Sequence, residues 1–182
     1  MRILGIDPGS RHTGYGVIRV EGPRQTLVEY GVLSLAATDD HELRLKQIYD
    51  RLTQVIDRTL PDAAAVEMPV YGRNPQSMLK LGRAQAAAML AVLNRQIPVT
   101  QYTPKEVKKA VTGTGNAAKE QVAYMVRSLL AIDDADPPGL DATDALAVAL
   151  CHTHRRAPAG SAAPQRHAGW AAFVRANPGR TR

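Results

Sequence analysis

Cysteine is almost missing from this chain, and the single one, Cys151, leaves no disulfide to form within it. A lone thiol in an Ala/Leu-rich stretch reads as a buried structural group. Phe and Trp occur once each, at Phe173 and Trp170, so the first 154 residues build their core from aliphatic side chains and tyrosine. The longest apolar run, Ala86 to Leu93, is far short of the roughly 20 residues that cross a bilayer. The turn at Asp7-Pro8-Gly9 comes too early for a signal peptide. The expectation is a cytoplasmic protein with no membrane partner. At 182 residues and 45% hydrophobic, it has enough material for one sizeable core.

Acids are missing from residue 155 onward, where six arginines stand unopposed. That stretch carries the whole net charge of +6 and leaves 17 bases against 17 acids in residues 1–154. It is rich in Ala, Pro and Gly without a sustained period, so the expected division is a folded domain over 1–156 and a disordered tail over 157–182. The neutral body is itself segregated. Residues 68–119 hold Arg73, Lys80, Arg83, Arg95, Lys105, Lys108, Lys109 and Lys119 against Glu106 alone. Residues 120–154 hold six acids against Arg127. A basic stretch beside an acidic one suits an enzyme that grips phosphates and brings a cation to one of them; the plainer alternative is solvated helix faces.

What is present reads as α/β. Strands are expected over 2–7, 14–20 and 27–35, separated by Asp7-Pro8-Gly9-Ser10 and Glu21-Gly22-Pro23, which makes an antiparallel meander. A helix over 40–60 follows, with Leu43, Ile48, Leu52, Val55 and Ile56 at helical spacing. Then come a short buried strand (63–67), a helix (75–94), a strand (97–102), and helices over 104–111, 117–130 and 141–154. This order predicts a mixed five-stranded sheet, antiparallel then parallel, with helices on both faces. The helix over 75–94 is apolar on nearly every side, which predicts burial all round. Its second cover is either another helix of the same chain or a dimer seam, for which Gly82, Ala86 and Ala87 permit close approach.

Four acids stand where folding alone hardly explains them. Asp7 and Glu67 end apolar runs, and Asp141 and Asp144 open an apolar helix pattern. Brought together they would repel unless a cation lay between them, and hard oxygen ligands suit Mg²⁺ or Mn²⁺. Two such ions are standard equipment for phosphodiester cleavage. Residues three apart share a helix face, so Asp141 and Asp144 can serve one metal; taken alone, the pair would be an N-cap and a favourable dipole charge. Gly9, Gly14 and Gly16 read either as room for a phosphate near Asp7 or as ordinary turn glycines.

The series Ile3-Leu4-Gly5-Ile6-Asp7-Pro8-Gly9-Ser10, Thr13-Gly14-Tyr15-Gly16, Val66-Glu67, Ser77 to Gly82, Tyr102 to Lys108, Thr112-Gly113 through Lys119, and Asp141 to Ala147 with His152-Thr153-His154 resembles the bacterial RuvC Holliday-junction resolvases, in order, from residue 1 to about 155. The resemblance implies a ribonuclease-H-like fold and a homodimer with two Mg²⁺ per subunit, for which Mn²⁺ is the candidate substitute. It further implies symmetrical nicking of four-way DNA junctions in recombination and repair, beside a junction-binding protein and a branch-migration motor. On matching positions Asp7, Glu67, Asp141 and Asp144 become the catalytic metal ligands, and Lys108 and Lys119 the catalytic phosphate contacts. Arg73, Lys80, Lys105 and Lys109 join the lysines as candidate DNA contacts. His152 and His154 read as helix-end residues rather than ligands. The family has a base-stacking phenylalanine three residues past the glutamate; here Val70 stands there, and Tyr71 is the candidate substitute. Other readings are a sugar-kinase-like nucleotide binder, for which the chain lacks a second domain, a junction scaffold without cleavage, and an RNA–DNA hybrid nuclease.

Overall fold

The computed structural model describes residues 1–36, 40–69, 74–133 and 138–155. Its elements are β1 (Arg2–Asp7), β2 (His12–Glu21), β3 (Arg24–Ser34), α1 (His41–Thr59), β4 (Ala63–Glu67), α2 (Pro75–Leu93), β5 (Val99–Tyr102), α3 (Pro104–Thr112), α4 (Lys119–Leu130) and α5 (Leu140–Arg155). They form one five-stranded sheet in the order β3-β2-β1-β4-β5. The meander pairs antiparallel, while β4 and β5 run parallel to β1. The expected mixed sheet is therefore present, with a helical layer on each face.

Side-chain alternation along the strands divides the core in two. Leu4, Ile6, Val17, Ala64 and Val66 pack under α1 and α2, and Ile3, Ile18, Ala65 and Tyr102 pack under α3, α4 and α5. The same parity sends Asp7, two residues past Gly5, and Glu67, two past Ala65, toward the α5 side. Helix α5 lies directly on the strands because β1 and β2 offer glycine beneath it. A Cβ on Gly5 would fall 2.1 Å from the Ala145 carbonyl oxygen, and one on Gly14 would fall 2.0 Å from that of Asp141. Gly14 and Gly16 thus admit a helix where the sequence suggested a phosphate or a simple turn, while Gly9 is a turn glycine whose Cβ would fall 2.0 Å from the His12 carbonyl oxygen.

Local chemistry fixes the helices that flank the strand ends. Thr103 and Glu106 form a reciprocal capping box at the start of α3, with Pro104 at its first position. The only acid of the basic stretch is thereby committed to structure. Pro98, which lacks an N–H, keeps β5 from starting before Val99, two residues later than the pattern predicts.

One expectation about burial fails. Leu43 is 52% exposed, because α1 turns its Ile48, Leu52, Val55 and Ile56 to the sheet and leaves its first turn outside. Within the chain α2 buries one face, through Ala84, Ala88, Ala91 and Val92. Leu79, Leu90 and Leu93 stay about half exposed on the other.

Candidate active site

Strand pairing brings the first two acids together. Ile6 of β1 stands beside Val66 of β4 in a parallel register, so Asp7 and Glu67 leave neighbouring strands side by side. Asp144 reaches them from α5, Lys108 from α3 and Lys119 from α4. These five side chains line one cavity of about 290 Å³, walled by Pro104, Val107 and Val122. Hollows of about 430 and 610 Å³ exist elsewhere, but neither contains any of the four acids. Asp141 lies partly buried one helical turn before Asp144, off the cavity wall, and its charge still reaches Asp7.

The acids are held at electrostatic cost. Burial first, then Asp144 and Asp141, push the Asp7 carboxyl up to about 6, against the pull of Lys119. Burial, Asp7 and Asp144 push Glu67 further, to about 8, with Lys119 and Lys108 opposing. Lys119 sits 3.2 Å from Asp144 and is itself shifted upward, chiefly by that acid. Among the described residues no three His, Cys, Asp or Glu side chains close into a metal-ligand group. The donor set nevertheless fits a hard divalent cation: oxygen ligands only, partly buried, with Asp7 and Glu67 both raised in proton affinity by burial and neighbouring acids.

A stability test follows. An acid whose folded-state pKa lies above its ordinary value binds more protons folded than unfolded, so raising the pH works against folding. Between about pH 5 and 8, metal-free protein should melt at progressively lower temperature. Below that window, the depressed carboxyls of Glu29 and Asp57, each bonded to an arginine, act with the opposite sign. Glu67→Gln should flatten the slope, and so should Mg²⁺. An unchanged slope in Glu67→Gln, followed by thermal melting in chelator, would remove Glu67 from this network.

The remaining sequence candidates separate clearly. Lys108 donates to the Ala117 carbonyl at 2.8 Å, which fixes its ammonium at the cavity wall. Lys105 lines the neighbouring hollow of about 610 Å³, which Lys108 also borders. Lys80 is exposed on α2, near His41 and Arg83, and Lys109 is exposed on α3, away from both cavities. Val70, Tyr71 and Arg73, and the tail from Arg156, lie outside the described residues. His152 is buried, its Nδ1 2.9 Å from the Tyr102 hydroxyl, so it ties α5 to β5, while His154 is exposed. Pro104 and Met68, which shape the cavities beside Glu67, carry no sequence signal except adjacency to a capping threonine and to the glutamate.

Comparison with known proteins gives a consistent result. The family model described as crossover junction endodeoxyribonuclease RuvC matches residues 3–152. The protein of that name from Salinibacter ruber is 59% identical over 180 residues, 99% of this chain and 98% of the relative. Its counterpart from Porphyromonas gingivalis is 47% identical over 182 residues, covering 99% and 96%. The fold superposes on Thermus thermophilus RuvC in complex with Holliday junction substrate with a TM-score of 0.77 at 37% identity, over 84% of this chain and 93% of that one. A fowlpox virus resolvase bound to Holliday junction DNA shares the fold, with a TM-score of 0.57 at 12% identity, 84% of this chain and 99% of that one.

Proposed function

Because the chain belongs to the crossover junction endodeoxyribonuclease RuvC family, we propose that it resolves four-way DNA junctions by paired symmetrical nicks. The observation that carries this reading is the single cavity where Asp7, Glu67 and Asp144 meet Lys108 and Lys119. Acids alone would repel DNA, and lysines alone would only bind it. Together they suit a phosphate that must be both held and attacked.

Asp7, Glu67 and Asp144, with Asp141 beside them, are the residues that would hold divalent cations, taken here as two Mg²⁺. Bound there, such ions would supply activation of a water and stabilisation of the departing 3′ oxygen. The described residues lining the cavity include no Ser, Thr, Cys, Tyr or His, which supports water as the nucleophile. Direct attack by water follows, which leaves 5′-phosphate and 3′-hydroxyl ends.

The lysines position and stabilise. Lys108 has three ammonium donors and spends one on Ala117, leaving two for phosphate oxygens at the wall. Lys119, beside Asp144, contributes a point charge where negative charge grows in the transition state. Lys108→Ala and Lys119→Ala should each slow single-turnover cleavage about tenfold to a hundredfold. Junction affinity should fall only severalfold, because one phosphate contact is a small share of the whole footprint. Equal losses of rate and affinity across several salt concentrations would make the lysines anchors and nothing more.

Paired nicks need paired subunits, and a junction with two-fold symmetry is served best by a two-fold dimer. The exposed stripe of Leu79, Ala86, Leu90 and Leu93 on α2 supports that assembly. The proposed setting is DNA recombination and repair in the cytoplasm, alongside a junction-binding protein and a branch-migration motor. Incubating the protein with Mg²⁺ and either a synthetic four-way junction or a linear RNA–DNA hybrid tests the substrate class. Symmetrical nicks in the junction alone are expected; cleavage of the hybrid alone would overturn the reading.

A further inference from the structure

Helix α4 buries Val122, Ala123, Val126 and Leu130 and leaves its opposite side outside. At the middle of that side Tyr124 is 64% exposed, and it lines two hollows. One, of about 430 Å³, lies toward the start of the helix, between Thr114 of the preceding link and Glu120, Gln121 and Met125. The other, of about 250 Å³, lies toward its end, against Arg127, Ser128 and Ile132. From Gln121 in the first lining to Ser128 in the second is a rise of about 10 Å along the axis. Neither hollow shares a lining residue with the acid cavity.

The described chain ends at Arg155, where α5 has reached β5 and packs against α3 and α4 on one face of the sheet. The sequence beyond it carries arginines, no acid, and the only Trp and Phe of the protein, Trp170 and Phe173. Two large aromatics are out of place in a segment whose composition otherwise predicts disorder. The stretch from Arg155 to Trp170 can span up to about 50 Å, against about 40 Å across a domain of this size. The match to the Salinibacter ruber relative covers 99% of this chain and so runs past Phe173. Two residues three apart in an extended three-fold chain point the same way, about 9 Å apart, close to the spacing of the hollows. Ala171 and Ala172, the small residues between them, leave room for the Tyr124 ring. The charges agree as well. Glu120, exposed at the larger hollow, attracts a basic segment and repels a phosphate backbone. Arg127 gives the smaller hollow a cation for an aromatic ring.

We propose that this face of α4 is the docking site of the same subunit's C-terminal segment, with Trp170 in the larger hollow and Phe173 in the smaller. The order of contacts follows the chain, from the end of α5 past the link between α3 and α4 and then along α4. Arg166, four residues before Trp170, comes beside Glu120. Docking ties unopposed arginines to the neutral body at a defined place. It needs neither cation nor DNA, so it stands apart from the junction-nuclease reading.

Because Trp170 is the sole tryptophan, its fluorescence in the full-length protein reports the site without a label. In the parent, emission should lie to the blue of a solvated indole, and acrylamide should quench it severalfold less than it quenches N-acetyltryptophanamide. Tyr124→Ala should move the emission to the red and raise quenching to that of the free indole. Phe173→Ala should do the same, and it alters no described residue, so folding of the domain is not at stake. Adding an excess of Trp170→Ala protein, whose hollows are intact, should leave the Tyr124→Ala signal where it is. Solvated emission in the parent, or protection that persists in either variant, would overturn the docking site. Recovery of protection when the Trp170→Ala protein is added would show the segment crossing to a second copy and would overturn docking within the subunit.

Discussion

Asp7→Asn, Glu67→Gln, Asp141→Asn and Asp144→Asn should each yield a protein that still binds four-way junctions and nicks them roughly a thousandfold more slowly. Cation chemistry at a phosphoryl centre is worth several kcal/mol of transition-state stabilisation, and each 1.4 kcal/mol is about a factor of ten. Binding survives because affinity comes from phosphate contacts spread over the surface. The geometry adds a second signature. Asp7 and Glu67 sit far above their ordinary pKa because of burial and the other acids. Removing one charge relieves the rest, so the inactive variants should melt no lower than the parent in chelator, and higher near pH 8. Gel shift without metal, single-turnover cleavage with Mg²⁺, and thermal melting together separate catalytic from structural loss. A variant that cuts at near the parental rate does not belong to the site.

Gly14→Ala should slow nicking on the order of a hundredfold while leaving every acid and lysine in the sequence. Gly14 pairs with Asp7 across β1 and β2, and the Asp141 carbonyl lies where its Cβ would be. The added methyl group meets backbone, which cannot rotate away, so the start of α5 must lift from the sheet. Misplacing a reacting group by about 1 Å can cost on the order of a hundredfold in rate. Overpacking itself should cost about 1–3 kcal/mol, seen as a fall of several degrees in melting temperature for a domain of this size. Junction affinity should change little. Wild-type cleavage by a normally folded Gly14→Ala would show that the height of α5 above β2 does not set the acid geometry.

Much of this site is legible in the sequence because each acid ends or begins an apolar pattern. Asp7 and Glu67 follow runs whose alternation gives strand and face together, and Asp141 and Asp144 open a helix that has almost no polar residue after them. Strand direction was also readable, since three strands joined by short turns pair antiparallel and helical crossovers impose parallel pairing. The glycine contacts were not, because a glycine under a helix and a glycine in a turn look alike until the helix is placed. Exposure of Leu43 escaped for a related reason: periodicity tells which residues share a face and not whether anything covers it. Met68 gave no signal beyond its place next to Glu67, because a hollow is made by separate links of the chain. His152 was read as a helix-end group, and its Tyr102 partner, 50 residues away in sequence, is visible only in three dimensions.

Helix α5 buries every side chain from Ala145 to His152, and four of those eight are Ala or Cys fitted closely to the strands below. Two of the proposed catalytic acids therefore ride on the least replaceable segment of the molecule. Local opening of such a segment requires much of the global unfolding free energy, so its central amides should be among the last to exchange with solvent. For protein engineering this separates the tunable parts from the fixed ones. Random substitution along α5 will mostly yield unfolded protein and few variants with altered rate. Changes in pace or selectivity will instead be found on the chain following β4 and on the links around α3, where a new side chain meets solvent or DNA and not a helix pressed against a sheet.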